Sequence, residues 1–420
     1  MTQAKQETIL DSDLFPVVGW AGPGGPMLRP DVMSGMAAAG FTVSHSWVQG
    51  DANEVVHALD VAAASHIKLL LVHPLWHVGD DFVLDDARRQ QIRVLVEAVR
   101  DHPGLYGYHL RDEPRYHVLP RLAEVHAFLR ELDAYHALYI NHFPPIEGWG
   151  ATTAEAFWRR YIEMTHPQFL SYDHYALTVG TADEIKAQVG QPNIFEAEKL
   201  IVKPDYFDCL ELLRNLSLGS GLPFWAFTCS VRHGPYPTPT EGHIRFQLMN
   251  NLAYGARGLQ YFTYAHDGAM VRTDGSTTPT WDIARRVNQD VYKLAPVMRR
   301  LRNVGVFRTG ALWSGTRHLQ RSHLAPLVAC EGDSVTIGFF VDDQDDERLH
   351  LMVVNGSPCA WSRITLKVNT DEKLYFFDVN EGDGMFRQLW PPDARNQMVA
   401  LAPGEGRLFK VGGAGLGQNF

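Results

Sequence analysis

The chain has 420 residues, 45% hydrophobic, 20% charged and 11% aromatic, an ordinary globular composition with material for a large core. Its formal net charge is −10 and no Lys/Arg block stands out to neutralise phosphates, which argues against nucleic acid as a partner. No run of about 18 apolar residues is present to span a bilayer. The N-terminal MTQAKQETILDSDLF lacks the basic-then-apolar pattern of a secretory signal. A cytoplasmic protein with no membrane contact is expected. Cys209, Cys229, Cys330 and Cys359 are widely spaced and form no C-x-x-C pair, so they read as buried thiols, not disulfides or zinc ligands.

Short apolar runs alternate with helical patterns along the chain. FPVVGW (15–20) predicts a first strand, followed by a Gly/Pro-rich loop and the helix-like DVMSGMAAAGF. TVSHSWV (42–48) is the second strand and EVVHALDVAAASH its helix. IKLLLVHP (67–74) is a third, nearly all apolar, as suits a parallel strand buried on both faces. A helix over 86–101 places Ile92, Leu95, Val96 and Val99 on one face. LYGYHLRDE (105–113) is the fourth strand, followed by a helix carrying Leu122, Val125, Phe128, Leu129 and Leu132. ALYINHF (137–143), the helix AEAFWRRYIEMTH and FLSYDHYAL (169–177) follow. An irregular stretch runs to about Lys203, then a helix over 204–218 and a seventh strand, PFWAFTCS (223–230). A helix over 241–256, an eighth strand GLQYFTYAH (258–266) and a last helix over 281–301 complete the alternation. Eight such pairs predict a (β/α)8 TIM barrel over 1–302. An open doubly wound sheet is the runner-up, but AGPGGP after the first strand is not a G-x-G-x-x-G turn.

Beyond residue 303 the pattern changes to short strands, among them GVFRTGALW, SVTIGFFV, LHLMVVNG, ITLKV and KLYFFDV, separated by turn signals such as DDQDDE and EGDG. A small antiparallel β-sandwich over 303–420 is expected. It carries no charged constellation and reads as a packing module. The sequence is compatible with a homo-oligomer.

In a (β/α)8 barrel the functional residues lie at the C-terminal strand ends, and there this chain turns polar. The second strand ends in His45 and Trp47, and the third leads into His73, Trp76 and His77. The fourth ends in Arg111, Asp112 and Glu113, the fifth in Asn141 and His142, the sixth in Asp173, His174 and Tyr175. The seventh offers Trp225, Thr228, Ser230 and then His233, and the eighth Tyr264 and His266. Alternation turns Glu113 inward together with Arg111, His109 and Gly107, and turns Tyr106, Tyr108 and Leu110 toward the helices. Asp112 then faces away unless a bulge intervenes. Arg111 beneath Glu113 would orient it and favour its anion, whereas burial would do the opposite. Pro114 stops the strand. The plainer role for Glu113 is a helix cap or an Arg111 partner.

A barrel strand ending in acid–Glu–Pro resembles the clan A (β/α)8 glycoside hydrolases, whose general acid is the Glu of an Asn-Glu-Pro on strand four. The phrases LSYDHY and GLPFWAF…R-x-Q…LAYGARGLQYFTY are similar to barrel glycosidases of the β-galactosidase-like group, over most of 14–301. The resemblance implies a glycosidase acting on small oligosaccharides or glycosides, with Glu113 as general acid. Two departures stand out: Asp112 replaces the Asn, and PFWAFTCS lacks the strand-seven nucleophile Glu of that clan. Glycoside hydrolysis ordinarily needs two carboxyls. Asp173 is the first candidate for the second, with Glu196, Glu198, Glu241 and Asp112 as competitors. Arg111, Asn141, His142, His174, His233 and Tyr264 would line the sugar site.

Aromatic rings can carry the apolar faces of a pyranose, and Trp47, Trp76, Tyr175 and Trp225 are candidates, although aromatics also fill cores. His73 and His77 raise a metal-dependent hydrolase as a third reading, after a non-catalytic carbohydrate-binding barrel. The histidine spacings match no ligand motif, and neither metal nor cofactor is expected.

Overall fold

The computed structural model describes residues 7–187, 191–265, 268–320, 327–342, 344, 348–368, 373–377, 385–390 and 396–412. It contains two compact units, one of Met1–His174, Asn215–Ser230 and Gly258–Arg285, the other of Tyr175–Arg214, Val231–Arg257 and Arg286–Phe420.

The first unit holds eight parallel strands: β1 (Val17–Gly19), β2 (Val43–Trp47), β3 (Lys68–Val72), β4 (Leu105–Asp112), β5 (Ala137–Asn141), β6 (Leu170–Tyr172), β7 (Phe224–Cys229) and β8 (Gly258–Phe262). Their order is β5-β4-β3-β2-β1-β8-β7-β6. The two ends of this sheet meet through one isolated parallel bridge, His142 to Tyr172, so the sheet closes as a (β/α)8 barrel. There the His142 N–H donates to the Ser171 carbonyl and the Asp173 N–H to the His142 carbonyl, each at 3.0 Å.

Helices α1 (Pro30–Ala38), α2 (Ala52–Ala63), α3 (Asp86–Val99), α4 (Leu119–Leu132) and α5 (Ala154–Thr165) belong to the same unit. Their ends are written locally. The Asp51 carboxylate accepts from the N–H groups of Asn53 and Glu54, and Glu54 accepts from the Asp51 N–H, a reciprocal cap for α2. Helix α3 buries Ile92, Leu95, Val96 and Val99, the face set by its periodicity.

Strand β4 breaks strict alternation twice. Its pairing with β3 slips between Leu69 and Leu70, and its pairing with β5 slips between His109 and Arg111. His109 lies opposite Tyr139, but Arg111 lies opposite Ile140 and Asp112 opposite Asn141. One extra residue in a strand sends every later side chain to the other face. The expectation that Asp112 faces away is therefore corrected, because the bulge intervenes. Tyr106 is also corrected: its ring lies 5.8 Å from that of Trp225, inside the barrel.

In the second unit, Leu177–Val179, Leu200–Val202 and Ile194–Phe195 form a three-stranded antiparallel sheet. Within the stretch expected to be irregular up to Lys203, the described residues thus form paired strands, because short β-branched runs such as LIV pair locally. A six-stranded antiparallel sheet (Leu301–Arg308, Val335–Asp342, Arg348–Asn355, Gly406–Gly412, Lys373–Phe377 and Phe386–Gln388) is joined by a three-stranded one (Leu327–Gly332, Ser362–Val368 and Asn396–Leu401). Ile337, Phe339, Leu351, Val353, Ile364, Leu366, Val399 and Phe409 fill the core of this sandwich.

Strand Val335–Asp342 is buried at every residue, on both faces. The helix Glu241–Ala253 packs on its second face: a Cβ on Gly338 would come within 2.2 Å of the Ala253 carbonyl oxygen. That helix buries an unbroken run from His243 to Ala253 apart from Arg245, as a helix covered on all sides should.

Candidate active site

The β4 rim is built by the bulge and by one unusual backbone angle. Glu113 sits in the left-handed region at φ +47°, which costs a non-glycine residue about 1–3 kcal/mol. Its N–H donates to the Asn141 carbonyl at 2.9 Å, which holds the turn in place. Asp112 and Glu113 are both partly buried, and the Glu113 carboxyl is hydrogen-bonded to that of Asp173 at the end of β6. Burial pushes Glu113 up to about 7, and the adjacent Asp112 charge adds to the rise, against the pull of the Asp173 hydrogen bond.

Asp112 ends a directed chain of buried donors. The Tyr139 hydroxyl donates to Gln260 Oε1 at 2.5 Å, and Gln260 Nε2 donates to Ser171 Oγ at 2.9 Å. Ser171 Oγ donates to Asn141 Oδ1 and Asn141 Nδ2 donates to Asp112 Oδ1, each at 3.0 Å. These side chains come from β8, β5 and β6 and meet because residues two apart on each strand face inward together. Burial raises the Asp112 pKa, while the Asn141 N–H and the Arg111 charge restrain the rise.

On the opposite wall, Trp20 stacks on His45 at 3.8 Å with the rings 5° apart. The Ala21 N–H approaches His45 Nδ1 at 3.4 Å, which places the His45 proton on Nε2, facing His109 Nδ1 at 2.7 Å. His109 is thereby protonated on Nε2. Burial holds His45 down to about 3 and His109 well below its usual value, so both rings are neutral. His77 lies 5.5 Å from His109, lowered by burial and then by Arg111.

Several residues singled out by sequence lie elsewhere. Arg111 is carried off by the bulge: its guanidinium donates to the Val78 carbonyl at 2.8 Å and to Asp80 at 3.1 Å, and its charge acts on Asp112 and His77, not Glu113. Trp76 is fully buried against Tyr108 at 5.1 Å, its indole N–H donating to the Leu71 carbonyl. Trp225 is also buried, stacked on Phe169 at 4.2 Å at the inner end of the barrel. His142 turns outward among Phe157, Trp158 and Tyr161 of α5, held down to about 3 by burial. Tyr264 is buried against Phe41 at 5.1 Å. None of these four is available as a sugar platform, because each ring is already covered.

Trp47 differs: it is 47% exposed at the β2 rim, 5.3 Å from the His77 ring. His174 is buried at the β6 end. Asn141 is present at the rim, with both ends of its amide engaged. Tyr175 and His233 belong to the second unit, where they cluster with Tyr236 at 5.1 and 4.6 Å. Glu196 and Glu198 are exposed on a turn of that unit, and Glu241 is ion-paired there with Arg245 and Arg286. His73 is tied to the Gly50 carbonyl at 3.2 Å, and among the described residues no group of three His, Cys, Asp or Glu side chains is placed to hold a metal ion. His266 lies outside the described residues.

Trp20, Tyr139, Ser171 and Gln260 were not read from sequence as site residues. Alternation back from Asn141 and Asp173 would have found Tyr139 and Ser171. Gln260, the one amide in the otherwise apolar GLQYF, carried its own signal.

No family model matches the chain, and no curated protein matches it. Among solved structures it is similar to a glycoside hydrolase at 12% identity and TM-score 0.55, over 95% of this chain and 92% of the other. It is also similar to a family 5 glycoside hydrolase from Bacteroides vulgatus ATCC 8482, at 13% identity and TM-score 0.52, over 96% and 90%. A β-galactosidase from the psychrophilic Marinomonas ef1 aligns at 14% identity and TM-score 0.46, over 67% of this chain, which spans 60% of that enzyme's length. At such identities the likeness is one of fold.

Proposed function

We propose that the chain is a glycoside hydrolase in which Glu113 protonates the departing glycosidic oxygen. The observation that carries this reading is a partly buried carboxyl at the β4 rim, pushed up to about 7, so that a large share of it stays protonated near neutral pH where an ordinary glutamate would be ionised. Asp173 hydrogen-bonds to that carboxyl, a contact that favours the Glu113 anion and tempers the rise. Asp112 supplies the neighbouring negative charge. Trp47 is the exposed ring available to a sugar face, and Trp20 closes the inner wall.

Glu113→Gln keeps the shape and removes the transferable proton. Turnover of aryl glycosides should fall by about 10²–10⁴-fold while sugar binding, read by calorimetry, persists. Wild-type turnover in Glu113→Gln would refute the assignment. The missing acid on β7 favours a second reading, a carbohydrate-binding barrel without catalysis. Sugar binding by the wild type with no hydrolysis over a broad glycoside panel would establish it instead.

A further inference from the structure

Among the described residues, the carboxyls that close the first unit's strands stand on one side. Asp112, Glu113 and Asp173 close β4 and β6, the strands that flank β5. The strands away from them end differently: β1 leads into Trp20, β7 ends in Cys229 and Ser230, and β8 leads into Thr263. Glu113 and Asp173 touch through a hydrogen bond. A retaining pair keeps its carboxyls about 5 Å apart and an inverting pair about 6.5–9.5 Å, with the scissile bond between them. Two carboxyls in contact leave no room for that bond, so Asp173 is not placed to attack the anomeric carbon from the far face.

Asp112 has a different geometry. It adjoins Glu113 on the same rim, is turned inward by the bulge, and is aimed by the donor chain through Asn141. An acid beside the proton donor cannot be the far-side nucleophile either, but it can accept an N–H from a substituent on the sugar carbon next to the reacting one. Resting on the glycosidase reading above, we propose that the nucleophile is supplied by the substrate: the chain hydrolyses 2-acetamido-2-deoxy glycosides, with Asp112 holding the acetamide N–H while its carbonyl oxygen attacks C1.

The steps balance without any further reagent. The acetamide oxygen forms a bond to C1 as the bond from C1 to the leaving oxygen breaks, and the Glu113 proton passes to that oxygen. The resulting cyclic oxazolinium carries a positive charge, which the Asp112 carboxylate offsets at the N–H. Water then attacks C1 and gives one proton to the Glu113 carboxylate. The ring opens, the acetamide is restored and Glu113 is protonated again. Two displacements at C1 leave the configuration retained. The acetamide must attack opposite the leaving group, so the substrates are β-anomers of the gluco or galacto series.

The first experiment compares aryl β-glucosides and β-galactosides with their 2-acetamido-2-deoxy counterparts, and follows the first-formed anomer by NMR. Hydrolysis confined to the 2-acetamido members, with retention and with inhibition by the thiazoline analogues of N-acetylglucosamine or N-acetylgalactosamine, is the expected result. Equal kcat/KM on the 2-hydroxyl members, or inversion at C1, would overturn substrate assistance and leave the glycosidase reading standing. Turnover of neither set would overturn the proposal, and the broad glycoside panel then decides the glycosidase reading separately. Asp112→Ala should lose about 10²–10³-fold in kcat/KM on the 2-acetamido substrate, and wild-type activity in that variant also overturns the proposal.

Discussion

Glu113 holds its proton because burial and the Asp112 charge both disfavour its anion, which places its titration at about 7. A group acting as an acid is competent below its pKa, so kcat/KM should be level below about 7 and fall roughly tenfold per pH unit above it. Asp112→Asn removes the like charge, which lowers the Glu113 pKa and shifts that alkaline limb to lower pH. A limb that stays in place in Asp112→Asn would show that Asp112 does not act on Glu113. Glu113 itself was legible in the sequence, because a strand ending in acid–Glu–Pro at a barrel rim places it there. Its neighbours were less so. One bulge at Leu110 exchanges the roles of Arg111 and Asp112, and no residue type in LRDEP announces an inserted residue.

Between α4 and β5 the connection is organised by one buried carboxylate. Asp133 accepts from the backbone N–H groups of Tyr135 and His136 at 3.1 Å, from the Tyr108 hydroxyl at 2.7 Å and from His136 Nδ1 at 2.8 Å. Burial alone would raise its pKa, but the His136 and Tyr108 bonds outweigh it and hold Asp133 below its usual 3.8. A depressed carboxylate contributes stability above its unfolded pKa and loses that contribution as pH falls below it. Asp133→Ala should therefore cost about 3 kcal/mol near neutral pH, measured by urea unfolding, because it strands buried donors. The gap between variant and wild type should narrow below about pH 4; a gap of constant size would contradict the account. Elements of this kind were readable where periodicity was strong, as in α3. The paired strands after β6 were not, since runs of two or three residues give no period to read.

Across the whole chain, the change from alternating helices and strands to antiparallel β-structure near Leu301 is visible in the sequence. What is not visible is that the helix Glu241–Ala253 lies in the same compact unit as the sandwich. Its almost continuous burial depends on the strands after residue 302, with Asn303 Nδ2 donating to the Ala253 carbonyl at 3.0 Å and Gly338 set against the same residue. A fragment of residues 1–302 should therefore aggregate or lack near-UV circular dichroism signals, where the full chain is folded. A soluble, cooperatively unfolding fragment would refute this.

The closure of the barrel has a consequence of its own. The seam between β5 and β6 is one bridge wide, at His142 and Tyr172, and Asp173 is the next residue along it. Asp173 thus reaches Glu113 only as far as that seam lets β6 advance past β5. A slip there would lengthen the Glu113–Asp173 hydrogen bond, which holds the Glu113 pKa down, and so let that pKa rise. The pH at which Glu113 lets go of its proton is, in this sense, a vernier on the barrel: it reads, in solution and without a crystal, how tightly the last joint of the sheet is drawn shut.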